Sequence, residues 1–343
     1  MTSASMTEQT ADLSEFCAEL EALGRSERAH RGAHDVRVFR AIKRISQLGA
    51  WIGRVLLIVP HDPVSFVLGT LLLALHFALE AQLNHTVTHG AYAGIEGADD
   101  LRPDRYETLA LPLQSATWRV AHKIHHAHPS LRDRDPDTMH PLFRVHESQR
   151  WRPWHLLNTV LGGLFVFECW GFDYDRFLKQ RGLRARNDHS EWKKLARYTA
   201  FHYGLIPLLA GPFALRVIAG TFLASLIRNY IFVVLQIGSS VGEGISTWHH
   251  EPRARKLRGE WHRFQVETSK NYPVSEFWTL TTGGLDRHIE HHLWPDLPPN
   301  RLRALSPRVR ALCERHGVRY TEYPSAWASY KESLLYLLRL SRP

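Results

Sequence analysis

The residues best suited to chemistry in this 343-residue chain are its 22 histidines, and three groups of them are set apart by their spacing. His85 and His89 form an HxxxH pair, whereas His122, His125 and His126, and then His288, His291 and His292, each read HxxHH. Residues three and four apart on a helix share a face, with Cβ atoms about 5–6 Å apart, so each group can aim two or three imidazoles at one point. A frequency of 22 His in 343 residues would give about 0.09 HxxHH patterns by chance, and two are present. Eight imidazoles are too many for one tetrahedral zinc, so two metal ions are expected. Cys17, Cys169 and Cys313 are too scattered for a thiolate knuckle, an iron–sulfur cluster or a disulfide framework. Imidazole suits zinc, copper, nickel and iron alike, which leaves the metal open on ligands alone; two irons able to bind and cleave O2 are the favoured pair.

A ligating histidine usually gives its other N–H to an acidic or carbonyl acceptor. Asp133, Asp135 and Asp137 follow the second group and are candidates for this role, with solvated loop charge as the alternative. Asp286 and Glu290 surround the third group, and Glu290 stands between its histidines. The isolated His30, His155, His202 and His316 are expected to be surface or hydrogen-bonded residues.

These side chains need elements to position them. Residues 45–60 (ISQLGAWIGRVLLIVP) and 64–79 (VSFVLGTLLLALHFAL) flank a turn at His61-Asp62-Pro63, and each is near or below the roughly 20 residues that cross a hydrocarbon core of about 30 Å. They read as a helical hairpin, and residues 198–215 and 217–238 as a second. The expected fold is all-α: an integral-membrane four-helix bundle with a helical cap holding a di-metal site, against the alternative of four buried helices in a soluble core. Arg228, inside the fourth segment, would cost at least a few kcal/mol at membrane depth unless it faces the bundle interior, so it is expected to point inward. Residues 154–170, bounded by tryptophans and containing Gly162-Gly163, read as one interfacial helix, or else as a re-entrant segment.

Four spans put both termini and residues 80–197 on one side. Basic residues flank the apolar runs, at Lys43, Arg44, Arg102, Arg105 and from Arg253 to Arg258, which makes that side the cytoplasm. The net charge of +9 and pI near 9.6 are thereby better accounted for by an anionic membrane surface than by nucleic acid, and a mean hydropathy of −0.28 averages apolar spans with long polar stretches. The first 45 residues lack an apolar core with a small-residue cleavage site, so no secretory signal is expected. The organisation that follows is 1–44 as an N-terminal cytosolic segment, 45–325 as the membrane domain and 326–343 as a helical tail.

The stretch from Gly283 to Pro298, GGLDRHIEHHLWPDLP, together with HTVTH at 85–89, HKIHHAHPSLRDRDPD at 122–137 and RALCERHGVRY at 310–320, resembles the membrane fatty acid desaturases with three histidine boxes, especially bacterial acyl-lipid and acyl-CoA members. The resemblance runs from about residue 45 to 325. It implies a four-span architecture with a cytosolic cap, a di-iron centre held by the eight box histidines, a tunnel for the acyl chain, and O2-dependent desaturation of a long chain carried by lipid, CoA or carrier protein. An alkyl chain has no acidic proton, so redox chemistry at the metals must begin the reaction. Related sequences carry a further histidine just after the fourth span; here that stretch runs from Gln236 to Glu243 without one. Glu243, His249 or His250 is expected to fill the position, or one iron is more open, which would favour hydroxylation or acetylenation on the same scaffold. The chain carries no HPGG segment of a cytochrome b5 and no Rieske-type Cys/His pair, so a separate ferredoxin, flavodoxin or reductase is expected as electron donor. A histidine-rich metal transporter or store would place ligands along a path through the membrane, whereas these lie beside the spans.

Overall fold

Asp62 and Pro63 start the central helix as a matched pair. The Asp62 carboxylate accepts from the Ser65 amide at 2.9 Å, and Pro63 occupies the first turn, where its missing N–H is not needed. The computed structural model describes residues 3–343 except 60–61, 132–133, 139–141, 162, 184–189, 244 and 246–257, and side chains from residue 13 onward except that of 258. Among the described residues it is helical with no strand, only isolated bridges from Asn271 to Arg287 and Glu322. In chain order the helices are α1 (Ser3–Ala29), α2 (Ala33–Ile58), α3 (Pro63–Thr88), α4 (Ser115–Ala127), α5 (Trp154–Leu161), α6 (Val166–Gln180), α7 (Glu191–Thr199) and α8 (Ile206–Leu209). They continue with α9 (Ala214–Ser240), α10 (Arg258–Glu267), α11 (Glu276–Thr281), α12 (His288–Leu293), α13 (Pro299–Arg315) and α14 (Ala326–Leu340).

Helices α2 and α3 form the expected hairpin and touch backbone to backbone. A Cβ on Gly53 would lie 2.8 Å from the Gly69 carbonyl oxygen, and a Cβ on Gly69 would lie 2.8 Å from that of Gly53, so only glycine fits the crossing. Leu57, Leu73, Phe77, Val217 and Ala224 join α2, α3 and α9 in one core. Two helical stretches, Pro63–Thr88 and Gly211–Ser240, are long and apolar enough to cross a membrane. Helix α2 starts twelve residues before the apolar run that pointed to it, because its first three turns are amphipathic and bury Val36 and Phe39 on one side.

The run at 198–215 is not one helix. It passes from α7 through a π-helical turn at Ala200–Leu205, then α8, then a 3-10 turn at Gly211–Phe213. Pro207 and Pro212 offer no amide to an α-helical ladder, and the turn widens ahead of the first and tightens at the second. The stretch at 154–170 is likewise broken into α5 and α6. Gly163 between them has φ of +64°, and a Cβ there would meet the Phe143 ring at 2.9 Å, while Gly162 lies outside the described residues. Glu168 on α6 reaches inward to Arg228 of α9 at 2.6 Å, so this stretch also partners the bundle. Arg228 is fully buried, its Nε donates to Asn229 Oδ1 at 3.0 Å, and Asn229 Nδ2 donates to the other Glu168 oxygen at 2.8 Å. The inward orientation follows from this closed network.

Over the ends of α3 and α9 sits a cap. Phe16 and Leu20 of α1 pack with Val266, Ile289, Leu293 and Val309 of α10, α12 and α13, and Arg28 clamps Asp296 with two bonds of 2.6 and 2.7 Å. Helix α14 lies along α9, where Ser329 donates to the Gly238 carbonyl at 2.6 Å.

Candidate metal centre

Helix α3 continues past its apolar part and carries His85 in its last turn, with His89 as the C-cap residue. Helix α4 presents His122, His125 and His126 on its buried face, and its start is held by Glu191, which accepts from the Gln114 amide and the Thr117 hydroxyl. The third group rides on α12, whose position is fixed from a distance. Asn271 accepts from the Ile289 amide at 3.0 Å through its side-chain oxygen and donates to Glu290 at 2.7 Å, and Tyr320 donates to the other Glu290 oxygen at 2.7 Å.

These elements bring the eight box histidines together, all of them buried except His89, which is half-buried. Ligand atoms of His85, His89, His122, His126 and His291 lie within 4.8 Å of one another. Within this set the Nε2 of His85 is 2.8 Å from that of His122 and 3.1 Å from that of His89, and the Nε2 of His126 is 3.2 Å from that of His122. The other three rings form an adjoining set: His292 has its ring centre 5.1 Å from His125 and 4.4 Å from His288. In this second set every Nδ1 has an oxygen partner. Asp135 accepts from His125 at 2.9 Å, Gln265 Oε1 from His292 at 3.1 Å, and the Ser239 carbonyl from His288 at 3.2 Å.

The residues fit metal ions. A neutral imidazole has one N–H, so ring nitrogens converging on one another cannot all be paired. The Nε2 atoms of His125, His291 and His292 are buried without a hydrogen-bond partner, a concentration of unsatisfied groups that a bound cation explains. Burial, and then the neighbouring imidazoles, hold His126, His291 and His292 well below the ordinary histidine pKa, leaving the lone pairs a metal needs. His125 differs. Burial acts to lower it, but Asp135 and Asp137 together bring it up to about 9, so a metal there must displace a proton.

The acidic candidates divide by what they touch. Asp135 orients His125 and also accepts from the Ser130 and Asp137 amides. One Asp137 oxygen takes the Tyr174 hydroxyl at 2.5 Å, the other lies 3.6 Å from His125 Nδ1, and burial pushes its pKa up to about 6. Asp286 is also raised by burial to about 6, but it accepts from Thr279 at 2.9 Å and pairs with Arg287. Both Glu290 oxygens are used by Asn271 and Tyr320, so Glu290 anchors the helix that carries the ligands. Glu243 is exposed and paired with Arg339, and the structure does not bring it to the imidazoles. Asp133, His249 and His250 lie outside the described residues. In the last turn of α9, the Ser240 hydroxyl approaches His288 Nδ1 at 3.4 Å and is itself reached by Gln236 at 3.2 Å. The isolated His30, His155, His202 and His316 have hydrogen-bond partners in Ser26, Arg152, Leu109 and Glu19.

Three contributors were not read from the sequence. Trp118 stacks on His85 with ring centres 5.8 Å apart and planes at 8°; its place four residues before His122 on a helix was the available signal. Gln265 and Asn271 belong to no motif. An apolar cavity of about 90 Å³ opens beside the second set of imidazoles, with His125 and Asp137 at its polar end and Trp170, Phe232, Val233 and Ile237 along its wall.

Residues 62–324 match the family model for the fatty acid desaturases. The chain belongs to that family. It is 26% identical over 350 residues to the NADPH-dependent stearoyl-CoA 9-desaturase of Mycobacterium tuberculosis, covering 97% of this chain and 81% of the relative. It is 26% identical over 275 residues to the acyl-lipid (8-3)-desaturase of Thraustochytrium sp, covering 77% of this chain and 60% of that protein. It is 28% identical over 229 residues to fatty acid desaturase 3 of Bos taurus, covering 60% of this chain and 46% of that one. Membership makes the chain an oxidoreductase of lipid metabolism, and His85, His89, His122, His126 and His291 form a histidine-rich cluster that could hold a metal ion.

Proposed function

We propose that this enzyme introduces a C=C bond into a long acyl chain in an O2-dependent reaction, with two irons held by His85, His89, His122, His125, His126, His288, His291 and His292. The observation that carries the reading is the junction of an apolar cavity with the smaller set of imidazoles, at His125 and Asp137. When bound, the irons supply the O2 chemistry that removes hydrogen from an unactivated C–H bond. The protein's residues do the positioning. Asp135, Gln265 and the Ser239 carbonyl fix three rings, the wall formed by Trp170, Phe232, Val233 and Ile237 excludes water, and the same wall holds an alkyl segment against the polar end.

Four membrane passages are proposed for α2, α3, the broken stretch within 198–215 and α9. The exposed apolar side chains support this: Leu48, Trp51 and Val55 on α2, Leu208 and Leu209 on α8, and Leu215 and Phe222 on α9 face outward. The basic residues flanking these passages support a cytoplasmic position for the cap and both termini, at the inner membrane. The names of the relatives support an acyl-CoA or acyl-lipid substrate, and "NADPH-dependent" in one of them supports a reductase or small redox protein as external donor.

A second reading, hydroxylation, has one observation in its favour: among the described residues five of the eight box imidazoles gather within 4.8 Å of one another, and of the three outside that group only His125 lines the cavity. Acyl analysis of a host expressing the wild type beside His291→Ala separates the readings. A product lacking two hydrogens, present only with the wild type, is expected; a product gaining one oxygen would replace desaturation with hydroxylation, and identical profiles in the two strains would end both.

A further inference from the structure

A second cluster of metal-ligating side chains lies between α1 and α10, in residues that the desaturase reading does not use. Cys17 and Glu21 are four apart on α1, so they share a face, and His262 of α10 meets them there. One ligand atom from each lies within 4.8 Å of the others. Cys17 and His262 are buried, and Glu21 is half-buried.

We propose that Cys17, Glu21 and His262 bind a divalent cation of the zinc type, independently of the imidazole centre and of the function proposed for it. Zinc takes thiolate sulfur at about 2.3 Å and carboxylate oxygen at about 2.0 Å, so a tetrahedral angle separates these two ligands by about 3.5 Å. The Cys17 sulfur stands 3.7 Å from Glu21 Oε1. The other Glu21 oxygen is 3.5 Å from Arg25 Nη1, the outer contact that steadies a ligating carboxylate. One sulfur, one nitrogen and one oxygen leave a fourth position for water, reached from the half-exposed Glu21 side. On binding, the thiol proton leaves to solvent and the thiolate becomes the ligand. Such an ion joins the N-terminal helix to the helix whose Gln265, three residues beyond His262, donates to the His126 carbonyl at 2.9 Å and accepts from His292.

The test is elemental analysis of the full-length protein, purified in detergent from zinc-supplemented cells, with near-ultraviolet spectra after cobalt is supplied in place of zinc. The wild type is expected to hold one equivalent of zinc that C17S and H262A lose, while iron per chain stays the same in all three. Cobalt is expected to give sulfur-to-metal charge-transfer absorption in the wild type and none in C17S. Cys17→Ser is nearly isosteric, and intact iron content reports that the variant has folded. A wild type with no zinc, variants with undiminished zinc, or a cobalt form without the thiolate band would each overturn the proposal. Because the readout is zinc and not product, its failure would leave the desaturase reading untouched.

Discussion

Replacing Asp135 with asparagine tests whether the small set of imidazoles is held for metal binding. One carboxylate oxygen accepts from His125 Nδ1 at 2.9 Å and from the Asp137 amide at 2.8 Å, and the other accepts from the Ser130 amide at 2.7 Å. An asparagine of the same shape has one oxygen. Either its NH2 confronts the Ser130 amide, or, flipped, it confronts His125 and Asp137. Both arrangements leave a buried donor unpaired, at about 1–3 kcal/mol. Much of that cost falls on the metal-free and metal-bound protein alike, and so cancels in affinity. What does not cancel is the loss of a negative charge behind the ligand, worth about 10–100-fold in metal affinity, or about 1.4–2.8 kcal/mol at 1.4 kcal/mol per tenfold. Iron retention is measured against a graded series of chelator, with wild type, Asp135→Asn and Asp286→Asn side by side. Asp135→Asn is expected to lose one iron at about 10–100-fold less chelator than the wild type, whereas Asp286→Asn, whose carboxylate bonds to Thr279 and no imidazole, retains both. Equal retention by wild type and Asp135→Asn would refute the orienting role.

Arg228→Met leaves Glu168 and Asn229 inside the bundle without their cation, and is expected to lower stability in detergent by about 3–5 kcal/mol in thermal unfolding; a shift no larger than that of a surface arginine would contradict it. Gly53→Val drives a branched side chain into the Gly69 carbonyl at the hairpin crossing, with an expected loss of about 1–3 kcal/mol and of folded yield on size-exclusion chromatography. The metal-free protein is expected to be most stable near pH 6.5. Below that value, the ordinary histidine pKa, the unfolded chain binds protons that His126, His291 and His292 refuse when folded, so stability falls with falling pH. Above it, the stabilisation from charged His125 fades as pH rises through about 9. Metal loading should remove most of both slopes, and a flat melting profile for the metal-free form would count against the burial of neutral rings. Ile237→Phe adds bulk to the cavity wall and is expected to shift the enzyme toward shorter acyl chains, read by product chain length.

The parts legible in the sequence were those set by local spacing or by a large energy. Residues three and four apart on a helix must share a face, so the box histidines announced their convergence, and a charge at depth must turn inward, so Arg228 announced its direction. What escaped was contact between distant segments. Gln265 is 139 residues from His126 and belongs to no periodic pattern, yet it ties together the second and third boxes. Glu290 looked like an orienting carboxylate because it stands among ligands, but side chains at successive helix positions point around the axis, and its own points away to Asn271 and Tyr320. Hydropathy also misplaced element ends: the start of α2 is amphipathic, and the two prolines at 207 and 212 broke a run that composition alone made continuous.

The lengths of the parallel helices explain why the cavity lies where it does. With the passages as proposed, α3 and α9 start on the same side, since Arg216 donates to the Asp62 carbonyl at 3.0 Å. A hydrocarbon core of about 30 Å uses about 20 residues at 1.5 Å each. Counted from Pro63, the apolar layer ends near Leu83, so His85 stands about 3 Å beyond it and His89 about 9 Å. Counted from Ala214, the layer ends near Val233, the residue that lines the cavity together with Phe232 and Ile237. The cavity wall on α9 therefore begins at the edge of the hydrocarbon, at Phe232 and Val233, and runs outward through Ile237, about 6 Å beyond that edge, toward the polar end at the imidazoles. A chain rising from the bilayer need leave its apolar surroundings only over the few carbons that face His125, and only there does it meet the metal-binding set. Lengthening α9 by one turn before Phe232 would lift that wall by about 5.4 Å relative to α3, and it would carry the Ser239 carbonyl away from His288 with it, so the chain's path and the hold on that ring would be lost together.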